Sequence, residues 1–303
     1  MKRKKGIVPG DKVGLTAPAG PVEAGYLRKS VEALKGFGWE VEVGDTCFQE
    51  YRGYVAGPPE MRAEELHKMF ASSEISAIFC LRGGYGSPQI LSLLDYTLIK
   101  DNPKLFIGYS DITALHIAFQ QKSGISTIHG PMPASDLIDA DEYTKYTLQS
   151  FLESPFSARI IDNPVGEPIE CLVPGKARGI LTGGNLSLIA SLMGTPYELD
   201  TKGKILFLEE VNEEWYRVDR MLNQLAIAGK FAAAAGIVLG SWTGCSPPSN
   251  DWPLKNLFKE LFLPFNIPVL FNLRAGHCRP AVALPFGTLA EINGFQRSLR
   301  ICD

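Results

Sequence analysis

Up to residue 122 the chain alternates short apolar runs with amphipathic stretches, and this alternation limits the fold more than any other feature. Residues 12–17 read as a strand that ends in the turn Pro18-Ala19-Gly20-Pro21. Residues 22–37 carry Leu27, Val31 and Leu34 at helical spacing and stop at Gly38. Residues 39–43 alternate as a strand, and 58–72 read as a helix with a proline at its start. Residues 75–81 and 104–109 are apolar runs of the kind that fill a parallel sheet buried on both faces. A helical stretch follows each, one reaching Leu94 and one running from Ile112 to Lys122. Repeated strand–helix units predict a parallel sheet covered by helices. Ligands of such sheets bind at the carboxyl ends of the strands, and the loops 82–87 and 108–111 fall at such ends.

The pattern changes after about residue 150. Asn163-Pro164-Val165-Gly166-Glu167-Pro168 and then Pro174-Gly175 read as a linker. The expected division is an α/β domain over 1–155, a linker over 156–175 and a smaller mixed α/β domain over 176–303. Within the last, 205–210 and 235–240 read as strands and 215–228 as a helix with Trp215, Val218, Leu222 and Leu225 on one face. Short strands are expected around Val269, Val282, Leu289 and Leu299. A chain of 303 residues buries enough surface to need neither disulfides nor a structural metal.

Charge and cysteine usage narrow the function. The formal net charge of −3 gives no reason to expect nucleic acid or an anionic membrane as partner. The six cysteines form no CxxC pair and no zinc-like spacing, which fits a reducing compartment and no metal. The basic start Met1-Lys2-Arg3-Lys4-Lys5 resembles the first region of a signal peptide, but Asp11 and Lys12 interrupt the apolar run that should follow. No stretch approaches the roughly 18 uncharged apolar residues of a membrane span. A cytoplasmic protein is expected.

The sharpest chemical signal is Gly108-Tyr109-Ser110-Asp111, a serine at a strand-to-helix turn with a glycine two residues before it. Two readings compete, a nucleophile and a simple cap of the following helix. Ile112 stands where a full nucleophile elbow has its second glycine. A serine needs a base, and there are four histidines. His67 reads as solvated, His116 as turned away within the same helix, and His129 as the end of a strand. His277 lies in the loop Arg274-Ala275-Gly276-His277-Cys278-Arg279-Pro280 and reads either as a base or as a structural loop residue. The pair Glu209-Glu210 closes an apolar strand, with a structural salt bridge to Arg217 or Arg220 as the alternative to orienting a base. Arg82-Gly83-Gly84-Tyr85-Gly86 suits an oxyanion hole or a phosphate cradle, although neither a Walker lysine nor a dinucleotide fingerprint is present.

Taken together these segments resemble the LD-carboxypeptidase family of serine peptidases, with its muropeptide and microcin-immunity branches. The likeness runs from Thr16-Ala17-Pro18-Ala19-Gly20 through Arg82-Gly83-Gly84-Tyr85-Gly86 and Gly108-Tyr109-Ser110-Asp111 to His129-Gly130-Pro131-Met132. It continues in Gly183-Gly184-Asn185-Leu186, Leu208-Glu209-Glu210-Val211, Arg217-Val218-Asp219-Arg220 and Gly276-His277. The resemblance implies a flavodoxin-like N-terminal domain and a smaller C-terminal one, with a triad assembled across the two. It implies Ser110 as nucleophile, His277 as general base and Glu209, the first of the acidic pair, as the orienting carboxylate. The oxyanion hole it implies is made of the Asp111 N–H and one from the Gly83-Gly84 turn, that of Gly84. The substrate it implies is the murein tetrapeptide, cut before its terminal D-alanine, by a homodimer that uses no metal or organic cofactor. Arg82, Arg274 and Arg279 are candidates to read the terminal carboxylate. The alternatives are a microcin-immunity-like peptidase acting on a peptidyl-nucleotide, and a generic α/β esterase.

Overall fold

A computed structural model describes residues 6–245 and 253–302, so the basic run 1–5 lies outside the described residues. The chain divides into two compact units. One is Met1–Pro155 with Ala283–Gly287, the other Phe156–Val282 with Thr288–Asp303.

The first unit is built on β1 (Lys12–Thr16), α1 (Ala24–Lys35), β2 (Glu40–Val43), α2 (Pro59–Ala71) and β3 (Ile75–Cys80). It continues with α3 (Tyr96–Asp101), β4 (Leu105–Gly108), α4 (Thr113–Ala118), β5 (Thr127–His129) and α5 (Glu142–Glu153). The five strands are parallel in the order β2-β1-β3-β4-β5. This is the flavodoxin-like order, which reverses between β1 and β3 and opens a crevice there at the carboxyl ends. The loop 18–21 after β1 and the loop 82–87 after β3 flank that point. β4 is buried at every position, as its unbroken apolar run requires. On α2 the buried face carries Leu66, Met69 and Phe70, and also Arg62 at a core position.

Two of the expected helices differ in kind. The stretch read as a helix up to Leu94 is a 3-10 turn over Ser87–Leu93. The stretch 112–122 opens as a 3-10 turn at Ser110–Ile112, is α-helical only in α4, and widens to a π turn at Phe119–Ser123 before the left-handed Gly124. Helical spacing of apolar residues does not distinguish these neighbouring windings, because all of them bury one face. α5 is capped by the Asp141 carboxylate, which accepts from the Thr144 N–H at 2.9 Å.

The second unit holds β6 (Arg159–Ile161), β7 (Glu170–Val173), β8 (Lys176–Asn185), α6 (Leu186–Ser191), β9 (Ile205–Val211) and α7 (Trp215–Ile227). It continues with α8 (Lys230–Ala233), β10 (Gly236–Thr243), α9 (Leu254–Phe262) and β11 (Val269–Phe271). After β12 (Leu284–Phe286) the chain adds β13 (Leu289–Asn293) and β14 (Ser298–Ile301). The eight-stranded sheet runs β6-β14-β13-β8-β9-β10-β11-β7. Its central β8, β9, β10 and β11 are parallel, and antiparallel pairs flank them.

Two expected boundaries are corrected. The stretch 156–175 is not a linker, because β6 and β7 within it form the two edges of this sheet. Its prolines and glycines serve turns between paired strands, and composition alone does not separate such turns from a tether. The strand expected around Val282 is β12, three residues wide and shifted to 284–286. It pairs antiparallel with β5 of the first unit, Leu284 opposite His129, so 176–303 is not one continuous domain.

Candidate active site

Ser110 stands two residues beyond the end of β4 with φ of 63°, in the left-handed region that L-residues rarely occupy. It stands inside the 3-10 turn rather than at either cap position, since the residue before that turn is Tyr109 and the residue before α4 is Ile112. Strain of this kind persists where the surroundings fix the backbone, and two groups do so here. The buried Asp111 carboxylate accepts from the Ser87 N–H at 2.7 Å, which ties the elbow to the loop after β3. Below it, His116 Nε2 donates to the Gly108 carbonyl at 2.8 Å. Burial pushes the Asp111 carboxyl upward, against the pull of the Ser87 bonds, the Gly86 N–H and the Arg62 charge.

The glycine turn lies directly against this elbow. A Cβ on Gly83 would come within 2.8 Å of Ser110 Cβ, 3.0 Å of its Oγ and 3.4 Å of the Asp111 nitrogen. The Gly83 carbonyl accepts from Gly20 N–H at 3.0 Å. Because the peptide is planar and trans, the N–H of Gly84 then points away from Gly20. Gly84 itself has φ of 103°, a conformation in which a side chain is strained. Asp111, at the start of a helical turn, has an N–H with no acceptor within the helix.

The second unit places an acid against a base. β9 leaves both faces of Ile205–Leu208 buried, and alternation sends Glu209 and Glu210 to opposite faces. Glu209 is fully buried. Its Oε2 lies 2.7 Å from His277 Nδ1 and also accepts from the His277 backbone N–H at 3.1 Å. A carboxylate only accepts, so Nδ1 carries the hydrogen and Nε2 of the neutral ring presents a lone pair. The segment 273–277 reaches this place along β10, where the Ser241 N–H donates to the Ala275 carbonyl at 3.0 Å. Gly276 has φ of 94°, and a Cβ there would sit 2.5 Å from Glu209 Oε2. No larger residue fits between the His277 backbone and the Glu209 carboxylate.

Glu210 does something else. Its two oxygens accept from Asn185 Nδ2, the Val211 N–H, and the Ser187 N–H and hydroxyl, all within 2.9 Å. It fastens the start of α6 to β9. Burial raises its carboxyl despite these donors. The salt bridge to Arg217 or Arg220 read as an alternative is absent among the described residues, since Arg217 pairs with Glu213.

The candidate arginines are distributed over both units. Arg82, in the first, is exposed, donates to the Pro21 carbonyl at 3.2 Å and lines a cavity of about 410 Å³ with Glu23, Glu50 and Ser135. In the second, Arg274 donates to the Arg279 carbonyl at 2.8 Å, and Arg279 is exposed.

Residues 13–130 match the family model described as the LD-carboxypeptidase N-terminal domain, and 178–292 match its C-terminal domain. The chain belongs to the LD-carboxypeptidase family. A relative in Bacillus subtilis (strain 168), named as a probable murein peptide carboxypeptidase, is 40% identical over 301 residues, 98% of this chain and 93% of that protein. The crystal structure of muramoyltetrapeptide carboxypeptidase from Oxalobacter formigenes superposes with a TM-score of 0.84 at 30% identity, covering 96% of this chain and 99% of the other. The wild-type microcin C7 self-immunity protein MccF shares the fold with a TM-score of 0.93 at 23% identity, covering 100% and 99%.

Against this family background the remaining histidines have structural places. His67 is not simply solvated, because its Nε2 accepts from the Asp95 N–H at 2.8 Å at the start of α3. His129 is buried at the end of β5, its ring 5.7 Å from that of Tyr109 and 5.1 Å from that of Phe286. His116 does not turn away but folds back under the elbow, fully buried. Burial lowers its pKa to about 4, the Gly108 bond opposing the shift. An unfolded histidine titrates near about 6.5, so the unfolded chain binds the proton more tightly. The stability this contributes is complete above that value and is lost as pH falls through about 4. At pH 4 the loss amounts to about 3 kcal/mol. His116→Gln, which retains a donor for Gly108 but cannot titrate, is expected to lose that much less stability between pH 7 and pH 4. Urea unfolding of both proteins at the two pH values measures the difference, and equal losses would refute it.

Proposed function

We propose that the protein is a serine LD-carboxypeptidase that removes the terminal D-alanine from murein tetrapeptide, with Ser110 as nucleophile, His277 as base and Glu209 as orienting acid. The observation that carries this reading is the contact of buried Glu209 with His277 Nδ1, which suits the other ring nitrogen to accept a proton. The strained Ser110 beside a glycine turn supports the nucleophile's role. In the proposed reaction His277 Nε2 takes the Ser110 proton as Oγ attacks the carbonyl of the penultimate residue. The N–H groups of Asp111 and Gly84 receive the oxyanion. His277 then protonates the leaving D-alanine amine, and water releases the acyl group by the same steps in reverse. The murein substrate is supported by the names of the relatives.

Reduced, scattered cysteines support a cytoplasmic location, and family resemblance supports a homodimer. Among the described residues no helix is long and apolar enough to cross a membrane.

Incubation with murein tetrapeptide and mass analysis of the products tests the reading, with loss of one alanine expected. Cleavage only of a peptidyl-nucleotide would favour the microcin-immunity alternative. Only short esters turned over would favour the esterase. An exopeptidase must also distinguish a free terminal carboxylate, and Arg82, Arg274 and Arg279 are the proposed readers. A charge-assisted carboxylate contact contributes about 1.5–3 kcal/mol. A C-terminally amidated tetrapeptide is therefore expected to lose roughly 10- to 150-fold in kcat/KM. Equal turnover of the two peptides would mean that the carboxylate is not read.

A further inference from the structure

Arg62 is the largest fully buried side chain of the protein among the described residues. An arginine is almost never found so deep unless its donors are met. Here four donor bonds are made within the first unit. Nε donates to the Gly57 carbonyl at 3.0 Å, and Nη1 to those of Pro18 at 2.7 Å and Gly86 at 2.9 Å. Nη2 donates to Gln89 Oε1 at 2.6 Å. One planar fork on α2 thus holds the loop after β1, the entry to α2 and the loop after β3.

The position of these bonds gives them meaning. Pro18 is two residues before Gly20, whose N–H fixes the Gly83 carbonyl. Gly86 directly precedes Ser87, whose N–H is held by Asp111 beside Ser110. The guanidinium therefore grips both ends of the path that leads to the glycine turn. Gly86 is shaped for this grip. It has φ of 133°, and a Cβ on it would lie 2.7 Å from Arg62 Nη1. Burial works against the charge of both Arg62 and Asp111, and each of the two pulls the other back toward its ionised form. A purely structural core residue needs no fork aimed at three carbonyls. An apolar side chain on α2 fills space without the desolvation cost of a charge.

We propose that Arg62 is a positioning residue for the hydrolysis: through the Pro18 and Gly86 carbonyls it sets the 83–87 loop at the distance from Ser110 that the oxyanion requires. This rests on the serine-hydrolase reading above and goes beyond it, since Arg62 itself touches no reacting atom.

The test uses Arg62→Met, Arg62→Lys and, as a packing control on the same helix, Leu66→Ala. Leu66 is fully buried and makes none of these bonds. Each protein is assayed at a fixed interval below its own Tm. Two readouts are taken: kcat and KM on murein tetrapeptide, and the rate at which a fluorophosphonate labels Ser110. Labelling forms an O–P bond and expels fluoride, and it needs the nucleophile, base and oxyanion donors but no murein recognition. Removal of one oxyanion donor costs about 100- to 1,000-fold in kcat. Arg62→Met is expected to slow both kcat and labelling by at least about 100-fold with KM within about threefold. Arg62→Lys, which keeps the charge but not the fork, should slow both by about tenfold or more. Leu66→Ala should stay within about threefold in both despite a comparable fall in Tm. An Arg62→Met protein as active as the Leu66→Ala control overturns the proposal. If the methionine variant does not fold, wild-type rates in Arg62→Lys overturn it alone. A wild-type protein that is not labelled refutes the serine-hydrolase reading instead. Labelling without tetrapeptide cleavage refutes only the substrate, and the Arg62 comparison then stands on the labelling rates.

Discussion

Ser110→Ala and His277→Ala should each lower kcat by roughly a million-fold, and the double variant should be no worse than either. Nucleophile and base act as one unit, so removing the second part of a broken unit costs nothing further. The acidic pair gives the sharper outcome. Glu209→Gln should cost about 10,000-fold in kcat with little change in Tm. The amide keeps the size of the carboxylate but loses the charge that steadies the imidazolium and no longer dictates which ring nitrogen holds the hydrogen. Glu210→Gln should behave in the opposite way. Its oxygens accept from Asn185, Ser187 and Val211, and an amide places an NH2 group against one set of donors. A loss of about 1–3 kcal/mol in stability is expected, with kcat within about tenfold of wild type below Tm. Rates on murein tetrapeptide with parallel thermal melts decide the matter. An inactive, stable Glu210→Gln beside an active Glu209→Gln would reverse the assignment of the acid.

The sequence carried the first unit well because its cues are local. An unbroken apolar run such as 105–109 followed by Ser110-Asp111 reports a buried parallel strand and its exit without help from distant residues. Local cues also separated Glu209 from Glu210 onto opposite faces by alternation. What they could not report is which partner waits on each face. That depends on β8 for Glu210 and on the 273–277 segment for Glu209, both remote in sequence. β12 was displaced for the same reason. Three residues with a proline among them give no periodic signal, and only pairing with β5 makes them a strand. Arg62 was passed over and His116 was read as turned away because their value lies in carbonyls donated to, and a carbonyl has no letter in the sequence. A signal for Arg62 did exist. It stands four positions before Leu66, on the apolar face of its helix, where a charge calls for an explanation.

Gly83→Ala isolates the contact between the glycine turn and the proposed nucleophile, Ser110. Unlike Gly84, Gly83 is not at positive φ, so alanine brings no backbone strain of that kind and acts through its methyl group alone. That methyl would be 2.8 Å from Ser110 Cβ, nearer than two carbons approach, and 3.0 Å from the hydroxyl proposed to attack. Either Ser110 or the turn must give way by some tenths of an ångström, and reacting atoms held for near-attack geometry tolerate little of this. The expected result is a fall in kcat of about 100- to 1,000-fold, the scale of a lost oxyanion donor, with KM changed far less. Gly25→Ala provides the comparison. Gly25 lies in α1 with nothing within 4 Å of the added carbon, so the same substitution should leave kcat unchanged and raise stability by up to about 1 kcal/mol. Steady-state kinetics on both variants, with melts to exclude unfolding, give the answer. Wild-type turnover by Gly83→Ala would mean that the turn does not border the reacting carbonyl, and the oxyanion donors would then have to be sought elsewhere.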